Sequence, residues 1–245
     1  MTAAPGPVRA TSAAVLLPFG IVTLIWGSTW IVIADQLGVV PASWSVTYRF
    51  AIGGLTMLGW ALMRGDSLRL DARGLRFAAA LGFAQFCLNF NFVYRAELFV
   101  TSGLVALVYA LLMVPNALLA RIFLGQRMGR QLLAGSAIAI AGVALLFVHE
   151  ARADAGGDGS VLLGLGFAMA GLFAASVANV MQATNTARAY PMAPMLGIAM
   201  LIGAAIDAGW AWTQAGPPVF EWRPGYVAGL LYLGIAASAV AFSLY

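Results

Sequence analysis

Apolar residues run along this chain in eight long stretches, and polar or turn-forming residues collect between them. Each stretch is close to the length of about 20 residues that a helix needs to cross a bilayer. The pattern predicts helices over 13–35, 43–63, 75–95, 101–121, 130–149, 160–183, 192–213 and 224–245. The runs are too long for membrane strands and do not alternate, which excludes a closed barrel. Gly and Pro mark the connections: Gly38 and Pro41, Arg64-Gly65-Asp66, Gly156-Gly157-Asp158-Gly159 and Gly216-Pro217-Pro218. The loop 150–159 divides the chain into residues 1–150, with helices one to five, and residues 151–245, with helices six to eight. The first apolar run follows Arg9 as a signal peptide would. No small-x-small cleavage site ends it, and it continues into Trp26-Gly27-Ser28-Thr29-Trp30, so it reads as a retained first helix.

The two units keep a common register. Pro41 and Pro191 open helices two and seven, Gly53 and Gly203 follow, and Arg73 and Arg223 precede helices three and eight, all at an offset of 150 residues. Phe92-Val93-Tyr94 aligns with Ser243-Leu244-Tyr245 at an offset of 151. A repeat unit with an odd number of crossings leaves its copy upside down in the membrane, a building plan of secondary transporters. The expectation is an all-α integral membrane protein of inverted five-helix repeats. Eight transmembrane helices are present on this chain, the second repeat breaking off after its third helix.

Composition fixes the solvent. Hydrophobic residues make up 62% of the chain and charged residues 9%, with a mean hydropathy of +0.91. A soluble domain carries roughly 25% charged residues, so no water-soluble surface can be built here. The net charge of +4 rests on 13 arginines and no lysine. All but Arg49, which lies within helix two, cluster at helix ends, where they set topology rather than form a nucleic-acid site. With a cytoplasmic N-terminus, nine fall inside: Arg9, Arg64, Arg69, Arg73, Arg76, Arg121, Arg127, Arg130 and Arg188. Three fall outside, Arg95, Arg152 and Arg223, where the loop after helix five is acidic through Glu150, Asp154 and Asp158. Cys87, the single cysteine, reads as a small core residue and His149, the single histidine, as an interfacial one. No metal-ligand spacing, Ser/His/Asp set, P-loop or pair of intramembrane carboxylates is present, so neither an enzyme nor a cofactor is implied.

Polar groups inside apolar helices are costly in lipid and face protein or a wet cavity. Helix three carries Gln85, Asn89 and Phe92 on one face, and helix four carries Tyr109, Met113 and Asn116 on one stripe. Pro115 frees a carbonyl in mid-helix and invites a kink, a candidate gating point. Helix one offers Trp26 and Ser28, with Trp30 one turn on at the aromatic belt. Helix six offers Ser176, Asn179 and Gln182, of which Asn179 is the most central, and helix eight offers Tyr232. Amides one turn apart beside aromatic rings suit an amino-acid or amide ligand, and they suit interhelical glue equally. Arg49 lies about 9 Å inside helix two at 1.5 Å per residue. It is expected to snorkel outward or pair with Asp35; binding a solute carboxylate or an outer lock with Asp207 are the alternatives. Asp207 is the only acid well inside a helix and the candidate for proton coupling. Gly53, Gly54, Gly135, Gly142, Gly164, Gly166 and Gly171 are expected to let helices pack closely.

In order and spacing, several segments resemble one group. These are Trp26-Gly27-Ser28-Thr29, Tyr48-Arg49-Phe50 with Gly53-Gly54-Leu55, Tyr94-Arg95-Ala96 leading into Thr101-Ser102-Gly103-Leu104, Leu124-Gly125-Gln126-Arg127, and Ala141-Gly142-Val143-Ala144-Leu145-Leu146. The chain is similar, over essentially its whole length, to the EamA branch of the drug/metabolite transporter superfamily, and within it to the YddG-type amino-acid exporters. Gln126 stands where that group has a glutamate. The resemblance implies ten helices, so partners of helices four and five are expected beyond the segment seen here. The expected function is export of small metabolites, most of all amino acids, across a bacterial inner membrane by alternating access around an aromatic and amide cavity. A channel-like facilitator or an exporter of amphiphilic drugs is the alternative. The partners are a small-molecule solute and the lipid bilayer, without nucleic acid, and the oligomeric state stays open.

Overall fold

A computed structural model describes residues 13–153 and 160–244. Arg9, Asp154, the segment 156–159 and Tyr245, used above for topology, boundary and register, lie outside the described residues. The described residues form eight long helices and no strand. These are α1 Ala13–Gln36, α2 Ala42–Met63, α3 Ala72–Ala96, α4 Ser102–Leu124, α5 Arg130–Ala153, α6 Ser160–Gln182, α7 Met192–Ala215 and α8 Pro224–Leu244. A one-turn helix, Asn185–Arg188, joins α6 to α7. Seven of the eight, α1 and α3 to α8, are long and apolar enough to cross a membrane. The exception is α2, whose first eight residues include Ser43, Ser45, Thr47 and Arg49, all buried.

The ends follow local chemistry. Asp71 caps α3 by accepting from the Gly74 amide at 2.7 Å, which starts that helix earlier than its apolar run does. Gly125 closes α4 in the left-handed region, φ +67°, so the helix ends at Leu124, three residues beyond the predicted end at 121.

Two of the helices are interrupted at matched places. Wide π turns occupy Gly82–Asn89 in α3 and Tyr232–Val240 in α8, beginning 150 positions apart. The sequence reading gave both as plain α-helix, because a π turn leaves no mark in hydropathy.

The centre is the pair α2 and α7, which run antiparallel. Trp44 at the start of α2 donates to the Gly216 carbonyl just past α7 (3.3 Å), while Thr56 and Trp60 stand beside Pro191–Ala193 at the opening of α7. Gly54 packs where a methyl would meet Leu201 and the Gly197 carbonyl. Each member of the pair crosses one π segment. Gly53 of α2 faces Gly234 and Ser238 of α8, and Gly203 of α7 faces Gly82 and Phe86 of α3. The contact is reciprocal: the Arg49 carbonyl lies against Gly234, and the Ala199 carbonyl, 150 positions later, against Gly82.

Not every glycine serves packing. A methyl added at Gly135, Gly142 or Gly166 would meet nothing within 4 Å, which corrects that expectation. Gly135 and Gly142 belong to α5, a peripheral helix of which Val143 alone is buried among its described side chains. Its apolar surface is the kind that lipid covers.

Candidate functional site

The π turn of α3 directs Asn89 toward α4. Tyr109 donates its hydroxyl to Asn89 Oδ1 at 2.6 Å, and Trp30 of α1 meets the Tyr109 ring edge-on at 5.5 Å. Gly171 of α6 makes room, since a methyl there would meet the Tyr109 hydroxyl and the Asn89 carbonyl. Gln85 is buried in the same π turn, and its Oε1 has no hydrogen-bond partner. Phe92 leaves this group and stacks on Phe167 at 6.1 Å.

A second group ties α1 to α8. Trp26 donates its indole N–H to the Ala237 carbonyl at 3.1 Å and packs edge-on against Phe242. Ser28 and Tyr232 share a hydrogen bond of 2.6 Å between their hydroxyls.

A third group lines a hollow of about 390 Å³ between α4 and α6, walled by Met113, Asn116, Ala120, Gln126, Asn179 and Ala183. Asn116 Oδ1 is buried there without a partner. Just before Pro115, residues Ala110–Leu112 tighten into a 3-10 turn, where the proline removes a backbone donor. A larger hollow, about 600 Å³, lies between α2, α7 and the end of α8, and none of the predicted site residues lines it.

The opposite end of the bundle, at Gln36 and the start of α2, is packed with polar side chains. Arg49 is 1% exposed, so it does not snorkel. Its Nε donates to Ser238 Oγ at 3.2 Å, and its guanidinium lies 4.3 Å from the Phe90 ring centroid. Among the described residues neither Asp35 nor Asp207 pairs with it. Asp35 is held by Arg223 at 3.0 Å, and Asp207 Oδ1 accepts from Asn91. The reason is register: the C-terminal end of α1 meets the start of α8, and α7 presents Asp207 to α3.

The sequence reading missed Asn91, which links Ser43 of α2 (2.8 Å) to Asp207 of α7. Its place in Asn89-Phe90-Asn91-Phe92, inside an apolar helix, was the available signal. It also left Gln36, Tyr94 and Glu97 out of the candidate site, since they sit at helix ends where polar residues are ordinary. Tyr94 donates to Gln36 Oε1 at 3.0 Å. Among the described residues no group of three His, Cys, Asp or Glu stands ready for a metal ion.

A model of the EamA-like transporter family matches residues 14–148, more than half of the chain. The chain belongs to the EamA-like transporter family. A relative, Protein PagO of Salmonella typhimurium, is 25% identical over 143 residues, covering 58% of this chain and 46% of PagO. The chain thus spans about half the length of the relative it matches. A crystal structure of a protein with 25% identity superposes with a TM-score of 0.67, over 95% of this chain and 77% of that one. As an EamA-like protein with seven helices fit to cross a bilayer, the chain is a multi-pass membrane protein. The family points to transport of small solutes rather than to an enzyme.

Proposed function

We propose that this chain is part of a secondary carrier that exports small metabolites, amino acids first among them, by alternating access. Residues 1–150 and 151–245 are two inverted units of the carrier, the second incomplete on this chain, and all eight long helices cross the membrane. One observation carries the reading. The antiparallel helices α2 and α7 each cross the π turn of the other unit's third helix, through Gly53 on Gly234 and Gly203 on Gly82. Two units that exchange the same contact can rock about it and expose a central site to one side at a time.

We place the solute at Asn89, Tyr109, Trp26, Ser28 and Tyr232, together with the hollow at Met113, Asn116 and Asn179. The lining is amide and aromatic, with the unpartnered acceptors Gln85 Oε1 and Asn116 Oδ1 near at hand. This suits the α-amino group and side chain of an amino acid and does not suit a phosphorylated solute, which calls for several arginines. Arg49, Asp207 and Pro115 belong to gating. The arginine bias sets the N-terminus in the cytoplasm of a bacterial cell, with the Arg49 end outward.

Counterflow in proteoliposomes with a panel of labelled amino acids tests this. A carrier gives a transient overshoot of label, and Asn89→Ala or Trp26→Ala alters it while the protein stays folded. Equilibration without overshoot indicates a channel, and unchanged counterflow in both variants moves the site elsewhere.

A further inference from the structure

At the end of the bundle that carries Gln36 and Glu97, side chains from α1, α3 and α8 gather about one buried cation on α2. Arg49 of α2 donates to Ser238 of α8 and lies on the ring of Phe90 from α3. Tyr94 of α3 stands beside it and is bonded to Gln36 of α1. Arg49 Nη1 has no hydrogen-bond partner. A buried guanidinium with an unused donor calls for a counter-charge, because an isolated ion away from water is costly.

The acids near this end are few. Asp35 and Glu221 are taken by Arg223; Asp207 accepts from Asn91 through Oδ1 and keeps a buried, unpartnered Oδ2, but it forms no ion pair with Arg49 among the described residues. Glu97 is left. It follows the last residue of α3, and its Oε2 accepts from Ser102 Oγ at 2.6 Å. Its Oε1 is buried and has no partner. Arg49 and Glu97 each have a free atom of complementary chemistry and lie within electrostatic reach of one another.

We propose that Glu97 is a proton-binding site that couples solute movement to the proton gradient, with Arg49 as the charge it answers to. The inference rests on the carrier reading above. Ionised, the carboxylate neutralises Arg49 and holds α3 against the α2–α8 contact. A hydronium ion from the adjoining water gives its proton to Oε1, leaving a neutral carboxylic acid and a water molecule. Arg49 then lacks its counter-charge, and the arrangement that buries it loses stability.

Burial pushes the Glu97 carboxyl up to about 7, against the Ser102 hydroxyl and the Arg49 charge, which pull it down. Both forms are therefore populated near neutral pH. The charged and titratable groups facing it are Arg49 from α2 and Tyr94 from α3, and α4 contributes the Ser102 hydroxyl; Gln36 of α1 bonds Tyr94 and Ser238 of α8 bonds Arg49.

The test uses the full chain in proteoliposomes with a labelled amino acid that gives counterflow. Wild type should accumulate label under an imposed pH gradient, about tenfold per pH unit for one proton per solute. An entrapped pH dye should report proton movement alongside it. Glu97→Gln should keep counterflow at equal pH and lose both the accumulation and the proton signal, and Glu97→Asp should restore part of each. Wild-type counterflow that ignores the gradient overturns the inference while leaving the carrier reading intact. So does gradient-driven accumulation by Glu97→Gln. Loss of counterflow together with gradient drive makes Glu97 a structural residue and overturns it too. Absence of counterflow in wild type overturns the carrier reading, and this inference with it.

Discussion

Arg223 holds Asp35 with both terminal nitrogens, at 3.1 and 3.0 Å, and also reaches the Asp35 backbone carbonyl at 2.8 Å. Arg73 stands 150 positions earlier and has no ion pair among the described residues; it donates to the Thr186 hydroxyl at 2.9 Å. Each arginine sits two residues after an acid, Glu221 or Asp71, at the opening of α8 or α3. Each reaches the end of another helix, α1 for Arg223 and the turn after α6 for Arg73. One joint is built twice, once with an ion pair and once with a hydroxyl.

That asymmetry predicts opposite responses. Arg223→Ala should loosen the Asp35 joint, and Thr186→Asp should give Arg73 a carboxylate and tighten the other. Both pairs are exposed, so the shifts should be small and should fade in high salt. The check is the rate of thiol labelling of Ala183→Cys in the α4–α6 hollow, in a background with Cys87→Ala. The two variants should move the rate in opposite directions at low salt and converge at high salt. Movement in the same direction removes the asymmetry as a cause.

Much of this architecture is legible in sequence, because an apolar run of 20 residues has few fates. The spans came within a few residues of the observed helices, and the 150-residue register of Gly53 and Gly203 marked a contact that is reciprocal in space. The azimuth of a side chain was not legible. In a helix that is apolar all round, hydropathy does not say which face meets protein. Asn89 and Asn91, two residues apart, therefore bond to different helices, and Arg49 turns inward where the pattern suggested an outward reach. The π turns add to this by rotating everything beyond them. The Glu97 position was invisible for another reason: a glutamate after a membrane helix looks like ordinary loop until its burial is known.

Asp71 gives a pH prediction. The Tyr190 hydroxyl, and after it the Gly74 amide, hold its carboxyl below the usual carboxylate value. A depressed value in the folded state means stability that is present above the unfolded value, near 4, and lost as pH falls through the folded one. Detergent-solubilised Tyr190→Phe should melt below wild type at pH 7, and the gap should close as pH falls below about 4. Asp71→Ala should melt lower than Tyr190→Phe at pH 7, since it removes the α3 cap as well. A gap that widens in acid contradicts this.

Gly82 and Gly59 make a matched pair for packing. A methyl at Gly82 would fall on the Ala199 carbonyl oxygen, a backbone atom that cannot rotate away; a methyl at Gly59 meets nothing within 4 Å. Gly82→Ala should destabilise by about 1–3 kcal/mol, the usual cost of overpacking. Gly59→Ala should be neutral or stabilising by up to about 1 kcal/mol through helix propensity. Gly203→Ala should resemble Gly82→Ala, because Gly203 faces the Gly82 carbonyl across the same crossing. Thermal melting in detergent checks all three, and a tolerated Gly82→Ala would show that the α3–α7 crossing yields to an added methyl.

The Asn89–Tyr109 bond separates glue from ligand binding. Tyr109→Phe removes the donor and leaves Asn89 Oδ1 without it; Asn89→Ala leaves the Tyr109 hydroxyl unpaired. Hydrogen bonds between membrane helices average about 0.6 kcal/mol in double-mutant cycles and reach about 1.7. The cycle over these two residues should give a coupling in that range, measured by unfolding in mixed micelles. If the pair were glue alone, counterflow would fall only as far as the folded fraction falls. If it borders the solute, Tyr109→Phe changes the KM or the order of preference among amino acids at full folded yield. A coupling inside the range together with an unchanged KM and preference assigns the pair to structure and moves the solute toward Asn116 and Asn179.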